Sequence, residues 1–156
     1  NYFYVFSAFR SLENRAGRGL IGRYQTQAEW GLNVTAAGLT DRGAWVVGSA
    51  SLTNGTLAPN NGELRISVGA YYPVVSTPLP GQLHGIFGSG GRGDFNIGSS
   101  LAPPTPGSNP TFLGRWATAG GTGVSDHHEH IIFKGNTRMS RRDFNGLIEG
   151  MLWEWE

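Results

Sequence analysis

Residues 125–136 read SDHHEHIIFKGN and hold three of the chain's four histidines beside Asp126 and Glu129, before the sequence turns apolar. On an extended strand, residues two apart project to the same side, so Asp126, His128 and His130 are expected to share one face. Two imidazoles in a His-x-His pattern are a common way for a β-scaffold to hold a metal, and neutral imidazole serves equally as a hydrogen-bonding group for an organic ligand. Further along, Arg141 and Asp143 add complementary chemistry. A carboxylate beside an imidazole orients it for acid–base work, and a guanidinium holds an anion or a developing negative charge. Arg141 would also oppose a cation. The expected set is therefore Asp126, His128, His130, Arg141 and Asp143 as ligand-binding groups, with no metal and no other cofactor.

Other motifs carry less. The chain has no cysteine and no G-x-S-x-G, so neither thiolate chemistry nor a nucleophile elbow is available. The stretch from Gly88 to Gly93 matches G-x-G-x-x-G literally, but no helical pattern follows it, and it reads as a flexible hairpin. Arg92-Gly93-Asp94 is a tripeptide that a glycine-rich chain produces by accident. His128-Glu129-His130 resembles the opening of a cupin motif; Lys134 and Gly135 stand where its glutamate would fall, and no family is inferred from it. His84 reads as a strand-surface residue. Among the tryptophans, Trp30, Trp45, Trp153 and Trp155 suit either core or ligand contact, and Trp116 is taken as a platform on which a sugar ring or flat ligand stacks.

The elements that must position these groups are short runs rich in Val, Ile, Tyr, Phe, Trp and Thr between turn clusters, the pattern of an antiparallel sandwich or barrel. Strands are expected near residues 1–10, 20–38 with a kink or bulge, 43–53, 63–72, 82–89, 93–99, 111–120, 126–134, 137–144 and 147–156. Tyr2, Phe3, Tyr4, Phe6 and Phe9 put rings on both sides of the first strand, which implies that both of its faces are covered. The stretch SSLAPPTPGSNPT holds four prolines that cannot donate to a ladder, so it is an exposed connection.

The C-terminus can be read in two ways. Phe144, Leu147, Ile148, Met151, Leu152 and Trp155 fall on one helical stripe behind a Ser140/Asp143 capping pair. Against that, Gly146 and Gly150 would each cost about 1 kcal/mol inside a helix, Asn145-Gly146 is a favoured two-residue hairpin turn, and Trp153 to Glu156 alternate with period two. The hairpin is the preferred expectation. It opposes Arg142 to both Glu129 and Glu149, sets His128 opposite Asp143, and places His130 opposite Arg141.

Composition sets the outer bounds. A chain of 156 residues folds as one domain without needing disulfides. A formal charge of +1 is too small for an electrostatic footprint on nucleic acid or an anionic membrane, and no apolar run approaches the ~20 residues needed to span a bilayer. The chain begins at Asn1 without methionine, which reads as trimmed, mature or excised from something longer. Asn33-Val34-Thr35 and Asn54-Gly55-Thr56 are glycosylation acceptors by pattern. A secreted or cell-surface location is favoured.

The expected fold class is all-β: a single domain over residues 1–156, built as an antiparallel β-barrel or compact β-sandwich of about ten strands. The leading functional expectation is a non-catalytic binding protein for a carbohydrate or small organic ligand, with aromatic side chains beside a polar His/Arg/Asp rim, and compatible with a homo-oligomer. The competing classes are a small β-barrel enzyme, using His/Asp/Arg acid–base chemistry or a bound metal, and a structural subunit of a virion or surface assembly.

Overall fold

The first strand carries rings on both sides because both sides are covered. In the computed structural model, residues 1–12, 18–24, 28–37, 40–48, 50–53, 62–73, 81–88, 95–98, 110–114 and 125–156 are described. They form strands β1 (Tyr2–Ser11), β2 (Arg18–Tyr24), β3 (Ala28–Ala37), β4 (Thr40–Gly48), β5 (Ala50–Thr53), β6 (Leu64–Tyr71), β7 (Gln82–Gly88), β8 (Phe95–Gly98), β9 (Phe112–Leu113) and β10 (Ser125–Gly135), then one helix, α1 (Arg141–Trp155). One sheet runs β10-β1-β6-β7-β8 and the other β5-β4-β3-β2-β9, with antiparallel pairing throughout. Neither sheet closes on itself among the described residues, so of the two expected architectures, barrel and sandwich, the closed barrel is not formed, and the strands stand in two antiparallel sheets.

The sheet containing β1 is the middle of the structure. Tyr4, Phe6 and Ala8 of β1, with Leu64, Ile66, Val68 and Ala70 of β6, are buried against Ile148 and Met151 of α1. Val5 and Phe9 point the other way and join Leu20, Ile21, Trp30, Leu32, Trp45, Val47 and Tyr71 between the sheets. Period-two alternation therefore feeds two cores from one strand, each fully buried large side chain contributing roughly 1.5–3 kcal/mol. Trp45 sets the closest approach: its ring lies where a side chain on Gly69 would sit, so β6 needs glycine there for steric rather than conformational reasons.

Two long expected strands prove to be hairpins. The 20–38 segment divides into β2 and β3, and the 43–53 segment into β4 and β5. The larger correction is at the C-terminus, where residues 137–156 form no hairpin. The chain leaves β10 and enters α1 with Ser140 as N-cap, its Oγ accepting from the Asp143 N–H at 3.1 Å and donating to Asp143 Oδ2 at 2.7 Å. The apolar stripe decides the outcome, because Phe144, Leu147, Ile148, Met151, Leu152 and Trp155 all pack on the outer face of the β1 sheet. Gly146 and Gly150 lie on the exposed side with nothing near their missing side chains, so their helix cost of about 1 kcal/mol each is outweighed.

Candidate functional site

The edge strand β10 pairs with β1 rather than with residues 137–144, and that changes every neighbour in the histidine cluster. Ser7 lies opposite His130, Ala8 opposite Glu129 and Phe9 opposite His127, leaving His128 as the extra residue of a β-bulge. A bulge shifts the alternation by one residue. As a result His127, not His128, shares a side with His130, and His127 Nδ1 lies 3.2 Å from His130 Nε2. His128 instead stacks on Trp155 of α1, with ring centroids 5.1 Å apart and planes inclined by 20°. The neighbouring Glu129 Oε2 accepts the Trp155 indole N–H at 3.1 Å.

The expected site is therefore divided. Asp126 is exposed and lies opposite Arg10 in the ladder. Arg141 and Asp143 stand in the first turn of α1, whereas His128 meets its last turn, about 21 Å away along the helix from Arg141 to Trp155, and His130 lies on the other face of the sheet with His127. His128 does not meet Asp143, whose carboxylate is engaged with the Ser140 cap. Nor does Arg142 lie between Glu129 and Glu149: Glu129 is occupied by Trp155, and Arg142 and Glu149 are exposed on the helix. Trp116 lies outside the described residues, as do residues 89–94 with the Arg-Gly-Asp tripeptide, Asn54-Gly55-Thr56, and nearly all of the proline-rich stretch.

Burial sets the protonation of the paired imidazoles. His130 is pushed down to about 4 by desolvation and then by the neighbouring His127. Desolvation also lowers His127, with Asp126 pulling it back up and His128 pressing it further down. Both rings are neutral at pH 7. No three His, Cys, Asp or Glu side chains converge as a metal-binding group among the described residues.

A polar row that sequence reasoning missed crosses the same sheet between the two layers. Directly opposed residues of an antiparallel ladder share a face. Ser7 stands opposite both His130 and Ser67, and Ser67 Oγ is 3.2 Å from His84 Nε2. His84, Gln82, Ser67 and Ser7 are all fully buried, so His84 is an interior residue and not the strand-surface residue expected. Desolvation drives its pKa down to about 3. Ser7 Oγ, His130 Nδ1, His84 Nδ1 and both amide atoms of Gln82 have no protein partner in the described structure. The sequence signal was available in the two-sided apolar character of QLHGIFG, where Leu83 and Phe87 on one side and Ile86 on the other mark a strand covered on both faces. Asn33 is likewise buried, within β3, which removes Asn33-Val34-Thr35 as an accessible glycosylation site in the folded chain.

Two concave features lie at the N-terminal end of α1. A pocket of about 600 Å³ opens between the first turn of the helix and the outer face of the β1 sheet, lined by Tyr4, Tyr72 and Phe144 with Arg138, Arg141 and Asn145 among its polar groups. Tyr4 is edge-on to Tyr72, their ring centroids 5.9 Å apart, and its hydroxyl accepts the Met139 N–H at 3.0 Å. The Arg138 guanidinium sits 5.2 Å over the centre of the Tyr72 ring. Burial raises the Tyr72 phenol to about 12, with the neighbouring Tyr4 adding to the shift, so it remains a neutral donor. A second groove, about 1010 Å³, shares the Arg138 to Ser140 rim and continues past Phe133 and Arg142. Of the residues singled out from sequence for ligand binding, Arg141 lines the first pocket and Asp143 the second.

No protein-family model, no curated protein and no solved structure matches this chain. The described part of the molecule is mostly β, in two antiparallel sheets with one short C-terminal helix. No described helix is long and apolar enough to cross a membrane.

Proposed function

We propose that this is a non-catalytic binding protein of sandwich-like all-β architecture, and that it takes a small organic anion with a flat apolar body into the pocket beside the first turn of α1. The observation that carries the reading is the pocket itself: three rings, Tyr4, Tyr72 and Phe144, below two guanidiniums, Arg138 and Arg141. Its volume lies within the usual range for small-molecule sites, which combine apolar walls with a few placed polar groups. The positive end of the helix dipole adds to the two arginines, so a carboxylate, sulfonate or phosphate is favoured over a neutral polyol. The Ser67–His84 pair does not compete as a nucleophile and base, because both side chains are fully buried, out of reach of a substrate.

Calorimetric titration with a panel of aromatic carboxylates and phosphates, each beside its neutral amide or alcohol counterpart, tests this reading. At least one anion should bind, its counterpart should bind at least about tenfold more weakly, and R138A and R141A should each reduce the anion's affinity. If the neutral counterparts bind equally well, or the arginine variants bind as the wild type does, the site has been misassigned.

A further inference from the structure

We propose that His127 Nδ1 and His130 Nε2 form a two-imidazole chelate for a late first-row divalent cation, Cu²⁺, Ni²⁺ or Zn²⁺, whose remaining coordination positions are open to solvent or an incoming ligand. The site is independent of the anion pocket, because His127 and His130 lie on the face of the β1 sheet turned away from α1.

The geometry rests on the bulge. In a regular strand His128 and His130 would form the pair; the extra residue instead brings His127 into register with Phe9 and turns it toward His130. The two ring nitrogens lie 3.2 Å apart and share a hydrogen bond in the metal-free protein, which the ion would replace. Two nitrogens each bonded at ~2.0–2.1 Å to one tetrahedral ion are separated by about 3.3 Å, so the pair has the bite of a chelate without rearrangement of the backbone. The rings are inclined by 39°, with centroids 5.2 Å apart, close enough for both lone pairs to reach one ion beside them.

The outer groups suit that role. A ligating histidine ordinarily donates its second ring N–H to a neighbouring oxygen, which fixes the tautomer. His130 Nδ1 and Ser7 Oγ are both buried, both without a partner, and belong to directly opposed residues of β10 and β1. An Nδ1–H to Oγ bond would satisfy both atoms and leave Nε2 as the metal-facing lone pair. His127 directs its own Nε2 toward the turn at Gly114, leaving Nδ1 on the His130 side. Each ring then keeps one N–H, and coordination requires a tautomer choice with no net proton transfer.

Asp126, the residue before His127, is an exposed carboxylate. Arg10, across the ladder from Asp126, has its guanidinium bonded to the Gly62 and Trp155 carbonyls at 3.1 and 2.9 Å. The sequence-based objection to a metal was Arg141 on a neighbouring strand, and Arg141 lies instead at the far end of the helix. Imidazole nitrogen prefers the later first-row metals, with Cu²⁺ bound most strongly.

The test is titration of the metal-free protein with Cu²⁺ and with Ni²⁺ alone, read by calorimetry and by electron paramagnetic resonance of the Cu²⁺ form. The expected result is one ion per chain, two nitrogen couplings in the spectrum, at least a tenfold loss of affinity in H127Q and in H130Q, and a change below threefold in H128Q. Circular dichroism checks that each variant folds; should one histidine variant unfold, the other still decides. A weaker, later effect is expected for S7A, which removes the outer oxygen. Binding that H128Q abolishes would assign the ion to the His-x-His pair and overturn the proposal. So would affinity unchanged in whichever of H127Q and H130Q folds, or no binding above that of a folded H127Q or H130Q protein.

Discussion

Trp155 closes the C-terminus of α1 onto β10 by stacking on His128 while its indole N–H donates to Glu129. The same residue's carbonyl accepts from Arg10, so one position on the helix is tied to both β1 and β10. Trp153, two residues earlier, has 82% of its surface exposed. W155A should therefore destabilise the protein by about 2–4 kcal/mol through lost packing and an unpartnered Glu129, whereas W153A should change stability by less than about 0.5 kcal/mol. Urea unfolding of the two variants provides the measurement. Equal effects would show that the last turn is not docked as described.

The helix itself predicts opposite signs for changes only a few residues apart. G146A and G150A should each stabilise by up to about 1 kcal/mol, because both sites are exposed and open. S140A should cost about 1 kcal/mol, since it removes the cap on the Asp143 N–H. A hairpin turn at Asn145-Gly146 would make G146A destabilising, so the sign alone decides.

That pair of readings shows how far local sequence reaches. Both the capping pair and the apolar stripe of α1 were visible, as were the strand positions of β1, β6, β7 and β10. What competed was Asn145-Gly146, a strong local turn signal, and the winning term was burial against Tyr4, Phe6 and Ile66, which no local pattern contains. The site suffered for the same reason. Alternation placed Asp126, His128 and His130 on one face, but a bulge is a property of two paired strands, and nothing in residues 125–136 reveals that Ala8 and Phe9 will oppose three residues instead of two. The pocket, likewise, joins Tyr4, Tyr72 and Phe144 from distant parts of the chain.

The pocket makes its own prediction about Tyr4 and Tyr72. Y4F removes the acceptor for the Met139 N–H and should cost about 1 kcal/mol of stability. Y72F removes no backbone bond, but it takes away the phenol's side-chain hydrogen bonds with Tyr4 and Arg138 while its ring stays under Arg138, so it should cost about 0.5–1 kcal/mol. Thermal melts with a bound anion sharpen the contrast: ligand at 100 times its dissociation constant should raise stability by about 2.7 kcal/mol in the wild type. A variant lacking Arg138 should show a smaller rise at the same ligand concentration. A rise of the same size would place the anion elsewhere.

The buried histidines predict acid sensitivity with a definite direction. His84 and His130 have folded-state values of about 3 and about 4, below the 6.5 of a solvated imidazole. The unfolded chain therefore binds more protons than the folded one between these limits. The stability associated with keeping both rings neutral is complete above about pH 6.5 and falls as the pH drops toward the folded values. For His84 the slope reaches about 1.4 kcal/mol per pH unit, the amount set by one proton. Denaturant unfolding from pH 7 to pH 4 should show this decline, and H84Q should reduce its slope by about that amount because glutamine does not titrate. Glutamine can also keep a hydrogen bond to Ser67, so stability at pH 7 should change less than the acid slope does. If H84Q leaves the slope unaltered, His84 is not held neutral in the interior, and the row from His84 through Ser67 to Ser7 is hydrated enough to accept charge.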